Sequence, residues 1–76
     1  MMIEIYGKTF CPYCDKAKAL CEREGFDYSY KELDKDFTIE EFFNIFPTAR
    51  TFPQIKIDGN DIGGYTELEA WQQNKG

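Results

Sequence analysis

Cys11-Pro12-Tyr13-Cys14 is the stretch of this chain best suited to chemistry. Two cysteines flank a proline and a tyrosine where an extended segment gives way to a helix. The first sulfur then sits where unpartnered backbone N–H groups point outward. Such a setting favours thiolate over thiol, and the thiolate is the form that attacks a disulfide. Bringing a thiol pKa about three pH units below its free value near 8.5 requires roughly 4 kcal/mol of preferential stabilisation of the anion. A helix dipole supplies only about 0.3 to 2 kcal/mol. Direct hydrogen bonds from the N–H groups near Tyr13 and Cys14, aided by a cation such as Lys8, must supply the rest. Asp15 works the other way, because a carboxylate in the same turn raises the thiol pKa. The pair can also close a small ring that is readily reduced, which suits turnover rather than stapling. These features predict Cys11, exposed at the helix start, as the attacking nucleophile and Cys14, one turn in, as the resolving thiol.

The rest of the composition narrows the chemistry further. There is no histidine, which removes Cys–His nucleophilic pairs, His-bearing zinc sites and His general bases together. With three cysteines and no histidine, a tetrahedral zinc set is incomplete, so no metal is expected. Cys21 lies on the same helical face as Ala17 and admits two readings, a small buried hydrophobe or a secondary oxidisable thiol.

The elements that must position the pair can be read from periodicity. Met2 to Tyr6 alternates around isoleucines and stops at Gly7, which predicts a first strand. Pro12 to Glu24 predicts a helix, with Pro12 suited to its first position and Gly25 to its stop. Phe26, Tyr28 and Tyr30 alternate with polar residues and predict a second strand with one apolar face. After the polar loop Asp34-Lys35-Asp36, Thr38 and Glu41 fit a capping box, and Ile39, Phe42, Phe43 and Phe46 predict the core face of a second helix. Asp58-Gly59-Asn60 predicts a hairpin turn between strands at Pro53–Ile57 and Asp61–Gly63. Thr66 and Glu69 fit another capping box, opening a last helix in which Leu68 and Trp71 form the apolar stripe. The order βαβαββα predicts an α/β fold, a mixed four-stranded sheet with three helices against it.

At 76 residues the chain suits one domain, 1–76, and 17% aromatic residues supply apolar area to so small a core. A net charge of -5 argues against nucleic acid as a partner. No apolar run approaches the length of a membrane span and no signal peptide is evident, which predicts a soluble, cytoplasmic monomer. The acidic run of Glu32, Asp34, Asp36, Glu40 and Glu41 reads as a solvated surface.

Three motifs in combination carry a resemblance: Cys11-Pro12-Tyr13-Cys14, Thr51-Phe52-Pro53-Gln54 and Gly63-Gly64-Tyr65-Thr66-Glu67. Over essentially its whole length the chain resembles a glutaredoxin of the dithiol class. The resemblance implies a thioredoxin fold, with strands in the order second, first, third, fourth. It also implies a glutathione-dependent thiol-disulfide oxidoreductase acting on protein disulfides and glutathionylated proteins, with ribonucleotide reductase among the family's targets. Pro53 then matches a cis-proline facing the active-site pair, and Phe52 stands where a β-branched residue is usual. Glutathione would be held by Lys8, Tyr13, Thr51, Phe52, Pro53, Gly64, Tyr65, Thr66 and Glu67, with Glu67 replacing the more usual aspartate. Lys8 or Arg50 would meet its glycyl carboxylate, and the turn at Gly63-Gly64 its γ-glutamyl carboxylate. The rival functions are a hydrogen donor reduced by thioredoxin reductase and a glutathione-ligated iron–sulfur carrier.

Overall fold

The structure, a computed structural model, describes residues 2–75. Its elements run β1 (Ile3–Gly7), α1 (Pro12–Glu24), β2 (Tyr28–Glu32), α2 (Ile39–Ile45), β3 (Gln54–Ile57), β4 (Asn60–Gly63) and α3 (Tyr65–Lys75). The sheet order is β2-β1-β3-β4, as the resemblance implies. β1 pairs parallel with β2 and antiparallel with β3, and β3 pairs antiparallel with β4, with a register shift between Ile55 and Lys56. A helical crossover is needed to bring β2 back parallel to β1, and α1 provides it.

Alternation along β1 divides the core between the two faces of the sheet. Ile3 and Ile5 are fully buried with Ala17, Leu20 and Cys21 of α1, Ile55 and Ile57 of β3, and Leu68 of α3. Tyr6, one position out of phase with Ile5, packs instead with Phe37, Phe42 and Phe46. Burying each aliphatic or aromatic side chain of this kind contributes about 1.5 to 3 kcal/mol. The sheet is thus clamped from both sides, which fixes the end of β1 from which the cysteine pair emerges.

Local signals explain the helix limits. Pro12 occupies the first turn of α1, and Gly25 ends it in the left-handed region at φ 71°. Thr38 and Glu41 form the reciprocal capping box of α2, with N–H to oxygen distances of 3.1 and 2.8 Å.

Several expectations are corrected. Ile39 and Phe43 are exposed rather than core, at 43% and 48%, because a helix of 7 residues presents one narrow stripe to the sheet, and Phe42 and Phe46 fill it. Phe37, in the connection before α2, is buried in their place. At the sheet edge, β2 keeps its expected apolar face, with Tyr28 and Tyr30 half-buried against the first core cluster. Helix α3 begins at Tyr65, one residue before the expected cap Thr66, and the Gly64 carbonyl accepts the Leu68 N–H at 3.0 Å, which puts Gly64 at the N-cap. Trp71 joins the core edge-on to Phe26, with ring centroids 5.4 Å apart.

Candidate active site

The loop after β1 delivers Cys11 to the N-cap of α1. Cys11 is extended, at φ -128° and ψ 98°, and its sulfur accepts the Cys14 N–H at 3.1 Å while its carbonyl accepts the Asp15 N–H at 3.1 Å. Pro12 has no N–H to spend at this position. Cys11 and Cys14 are joined in a disulfide, with Cα atoms 5.2 Å apart. Cys14 is wholly buried, and Cys11 is only 7% exposed, which corrects the expectation of an exposed sulfur at the helix start. What lies open instead is its flank: Phe10, held at φ 54°, is fully exposed, and the Tyr13 ring is 55% exposed.

A groove of about 290 Å³ opens beside Tyr13. It is lined by Tyr13, Thr51, Phe52, Pro53, Gly64, Tyr65, Thr66 and Glu67, so all of the groove residues expected from the sequence come together except Lys8. The Lys8 ammonium lies 5.5 Å from the centre of the Phe52 ring, at the groove's edge. Arg50 is exposed and does not line the groove. The Phe52–Pro53 peptide is cis. Phe52 lines the groove and stacks on Phe42 at 4.4 Å, which anchors this wall in the second core cluster. Tyr13 and Tyr65 face each other across the groove with ring centroids 5.9 Å apart.

The far end of the groove is a glycine turn feeding α3. Gly63 sits at φ 110°, and a Cβ there would lie 2.8 Å from Glu67 Cγ, so only glycine fits. A Cβ on Gly64 would lie 3.2 Å from the Pro53 carbonyl oxygen, which measures how closely α3 approaches the Pro53 wall. The Gly64 N–H donates to Glu67 Oε1 at 2.7 Å, so Glu67 folds back on its own helix start. Gly64 offers no side-chain acceptor, which leaves the N–H groups at Thr66 and Glu67 available to an anion from outside.

The ionisable groups near the site have physical reasons for their states. Burial, then the Glu22 carboxylate, pushes the Cys21 thiol up to about 11. Wholly buried in the first core cluster, Cys21 packs as the small-hydrophobe reading expects. Burial, with the Glu69 carboxylate, raises Tyr65 above the usual phenol range. Burial, Glu32 and Asp15 do the same to Tyr30, whose ring carries the Lys18 ammonium at 4.3 Å. Sequence reasoning missed Tyr30 as a neighbour of Cys14. The signal was Gly7, a side-chain-free residue closing a strand otherwise made of bulky ones. Among the described residues, no group of three or more His, Cys, Asp or Glu side chains could hold a metal ion, and no helix is long and apolar enough to cross a membrane.

Comparison with known proteins agrees with this geometry. The family model "Glutaredoxin" matches residues 3–62. Glutaredoxin 1 of Escherichia coli is 36% identical, over 93% of this chain and 92% of its own. Among solved structures, glutaredoxin 1 of Francisella tularensis, complexed with cacodylate, superimposes with a TM-score of 0.82 at 30% identity, covering 97% of this chain and 94% of that one. A buckwheat glutaredoxin–glutathione complex has a TM-score of 0.80 at 28% identity, covering 96% of this chain and 69% of that one. With its sheet order, its Cys11–Cys14 disulfide and these matches along nearly its whole length, the chain belongs to the glutaredoxin family, the thiol-disulfide oxidoreductases built on the thioredoxin fold.

Proposed function

We propose that glutathione is the reductant of this thiol-disulfide oxidoreductase and that its substrates are protein disulfides and glutathione mixed disulfides. The observation that carries the reading is the groove whose wall includes Tyr13, between the two cysteines, and whose far end is the glycine-capped start of α3. The buckwheat relative's complex with glutathione supports the same ligand.

In the proposed cycle the Cys11 thiolate attacks a substrate disulfide, an S–S bond forms to Cys11, and the other substrate sulfur leaves as a thiolate. The Cys14 N–H, already directed at Cys11 Sγ, stabilises the attacking anion. Cys14 then loses its proton and attacks Cys11, releasing the second substrate sulfur and leaving the intramolecular disulfide. One glutathione thiolate opens that disulfide at Cys11, and a second removes the first as oxidised glutathione, so two electrons pass through each turn. The γ-glutamyl carboxylate is held by the free N–H groups at Thr66 and Glu67, with Glu67 facing the adjacent ammonium. The glycyl carboxylate meets Lys8 beside Phe52. Tyr13 and Tyr65 close over the tripeptide. A potential in the glutaredoxin range of about -200 to -230 mV matches the glutathione poise of a reducing compartment such as the cytoplasm. The test is turnover with glutathione and glutathione reductase against turnover with thioredoxin reductase. Reduction sustained by thioredoxin reductase alone would overturn the reading.

A further inference from the structure

Each time the disulfide is reduced, Cys14 leaves as a thiolate from a position sealed from water. A charge released there is costly unless a donor meets it. One phenol is placed to do so. A Cβ built on Gly7 would lie 3.0 Å from Cys14 Sγ and 2.8 Å from Tyr30 Cζ, so sulfur and phenol converge on the same side-chain-free point at the end of β1. With the disulfide closed, the Tyr30 hydroxyl donates to the Lys8 carbonyl at 3.5 Å, the long limit of a hydrogen bond, and loses little by turning away. The charged groups around the pair are Asp15 and Lys18 of α1 and Glu32 of β2. Asp15 and Glu32 help keep the phenol protonated, and the Lys18 ammonium over its ring strengthens the O–H as a donor.

We propose that Tyr30 stabilises the leaving Cys14 thiolate, its hydroxyl turning from the Lys8 carbonyl to the Cys14 sulfur when the disulfide opens. A reductant thiolate bonds to Cys11 Sγ, the Cys11–Cys14 bond breaks, and its electron pair stays on Cys14 Sγ. The phenol proton stays on its oxygen, and Cys14 later takes a proton from water. The inference rests on the dithiol exchange but not on glutathione, so dithiothreitol is the probe.

Stopped-flow reduction of the oxidised protein by dithiothreitol should slow about threefold in Tyr30→Phe, the effect of a leaving group about one pH unit more basic. In a Cys11→Ser background, the Cys14 titration followed by its ¹³Cβ resonance should move up by about one pH unit when Tyr30→Phe is added. Residue-specific assignment keeps the Cys21 thiol apart from that titration. Tyr28→Phe, whose phenol is bound to Glu22 at 2.6 Å, should change neither quantity. With Tyr30 in place, its own ¹³Cζ resonance should follow the Cys14 titration, a measurement that requires no tyrosine variant to fold. A folded Tyr30→Phe protein with the parent's rate and titration, or a Tyr30 resonance indifferent to Cys14, overturns the proposal. Normal behaviour with dithiothreitol but no turnover with glutathione would sink the glutathione reading and leave this one standing.

Discussion

The first turns of α1 and α3 both border the groove, and both present backbone N–H groups that have no partner inside the helix. They differ in the residue that caps them. At α1 the cap is Cys11, whose sulfur takes the Cys14 N–H at 3.1 Å, so the helix start acts on a nucleophile of its own chain. At α3 the cap is Gly64, which has no side chain, so the helix start is left to bind something else. The same backbone feature becomes reactive in one place and receptive in the other because of a single side chain. Glu67 sharpens the contrast, because it satisfies the Gly64 N–H at 2.7 Å and leaves the following donors open.

The contrast is broken most severely at α1. Cys11→Ser should reduce glutathione-dependent turnover to background, measured by coupled oxidation of NADPH, since Cys14 is wholly buried and cannot replace it as the attacking sulfur. Cys14→Ser should instead keep activity on glutathionylated substrates and lose most reduction of protein disulfides. At α3 the informative change is to supply the missing cap. Gly64→Ser would place a hydroxyl on the donors proposed for the γ-glutamyl carboxylate, and KM for glutathione should rise about tenfold, the loss of roughly one charge-assisted hydrogen bond. A smaller effect is expected from Glu67→Ala, with KM up about threefold, kcat unchanged, and about 0.5 to 1 kcal/mol lost in denaturant unfolding. Cys21, on α1 but beyond its first turn, is the internal control. Cys21→Ala should leave turnover at neutral pH unchanged. The folded state raises its pKa from 9.0 to about 11, so its contribution to stability is complete below pH 9 and is lost as pH rises toward 11. Melting temperatures should therefore fall across that window in the parent and fall less in Cys21→Ala.

How much of this was legible in the sequence depends on how local each signal was. Pro12, Gly25 and the Thr38–Glu41 box act within one turn of chain, and the limits of α1 and the start of α2 follow from them. The hairpin at Asp58-Gly59-Asn60 and the three groove motifs are also short and self-contained. Rotational phase was not legible. Ile39, Phe42, Phe43 and Phe46 all lie at helical spacing, and only the position of the sheet selects Phe42 and Phe46 for burial. The burial of Cys11 depends on how α1 packs at the end of β1, and the place of Phe37 depends on the path between β2 and α2. The cap of α3 lies two residues before Thr66, a strong capping residue by type, because the helix is already under way at Tyr65, straight after the glycine turn. The nearness of Tyr30 to Cys14 arises from pairing between β1 and β2 across a long stretch of chain, which no local pattern displays.

The central claim, that glutathione bonded to Cys11 lies along the groove and ends on the start of α3, is tested most directly by NMR. In the Cys14→Ser protein carrying glutathione on Cys11, the backbone amide resonances of Thr66 and Glu67 should shift as strongly as those around Tyr13. Shifts confined to the neighbourhood of Cys11, with Thr66 and Glu67 unmoved, would contradict it.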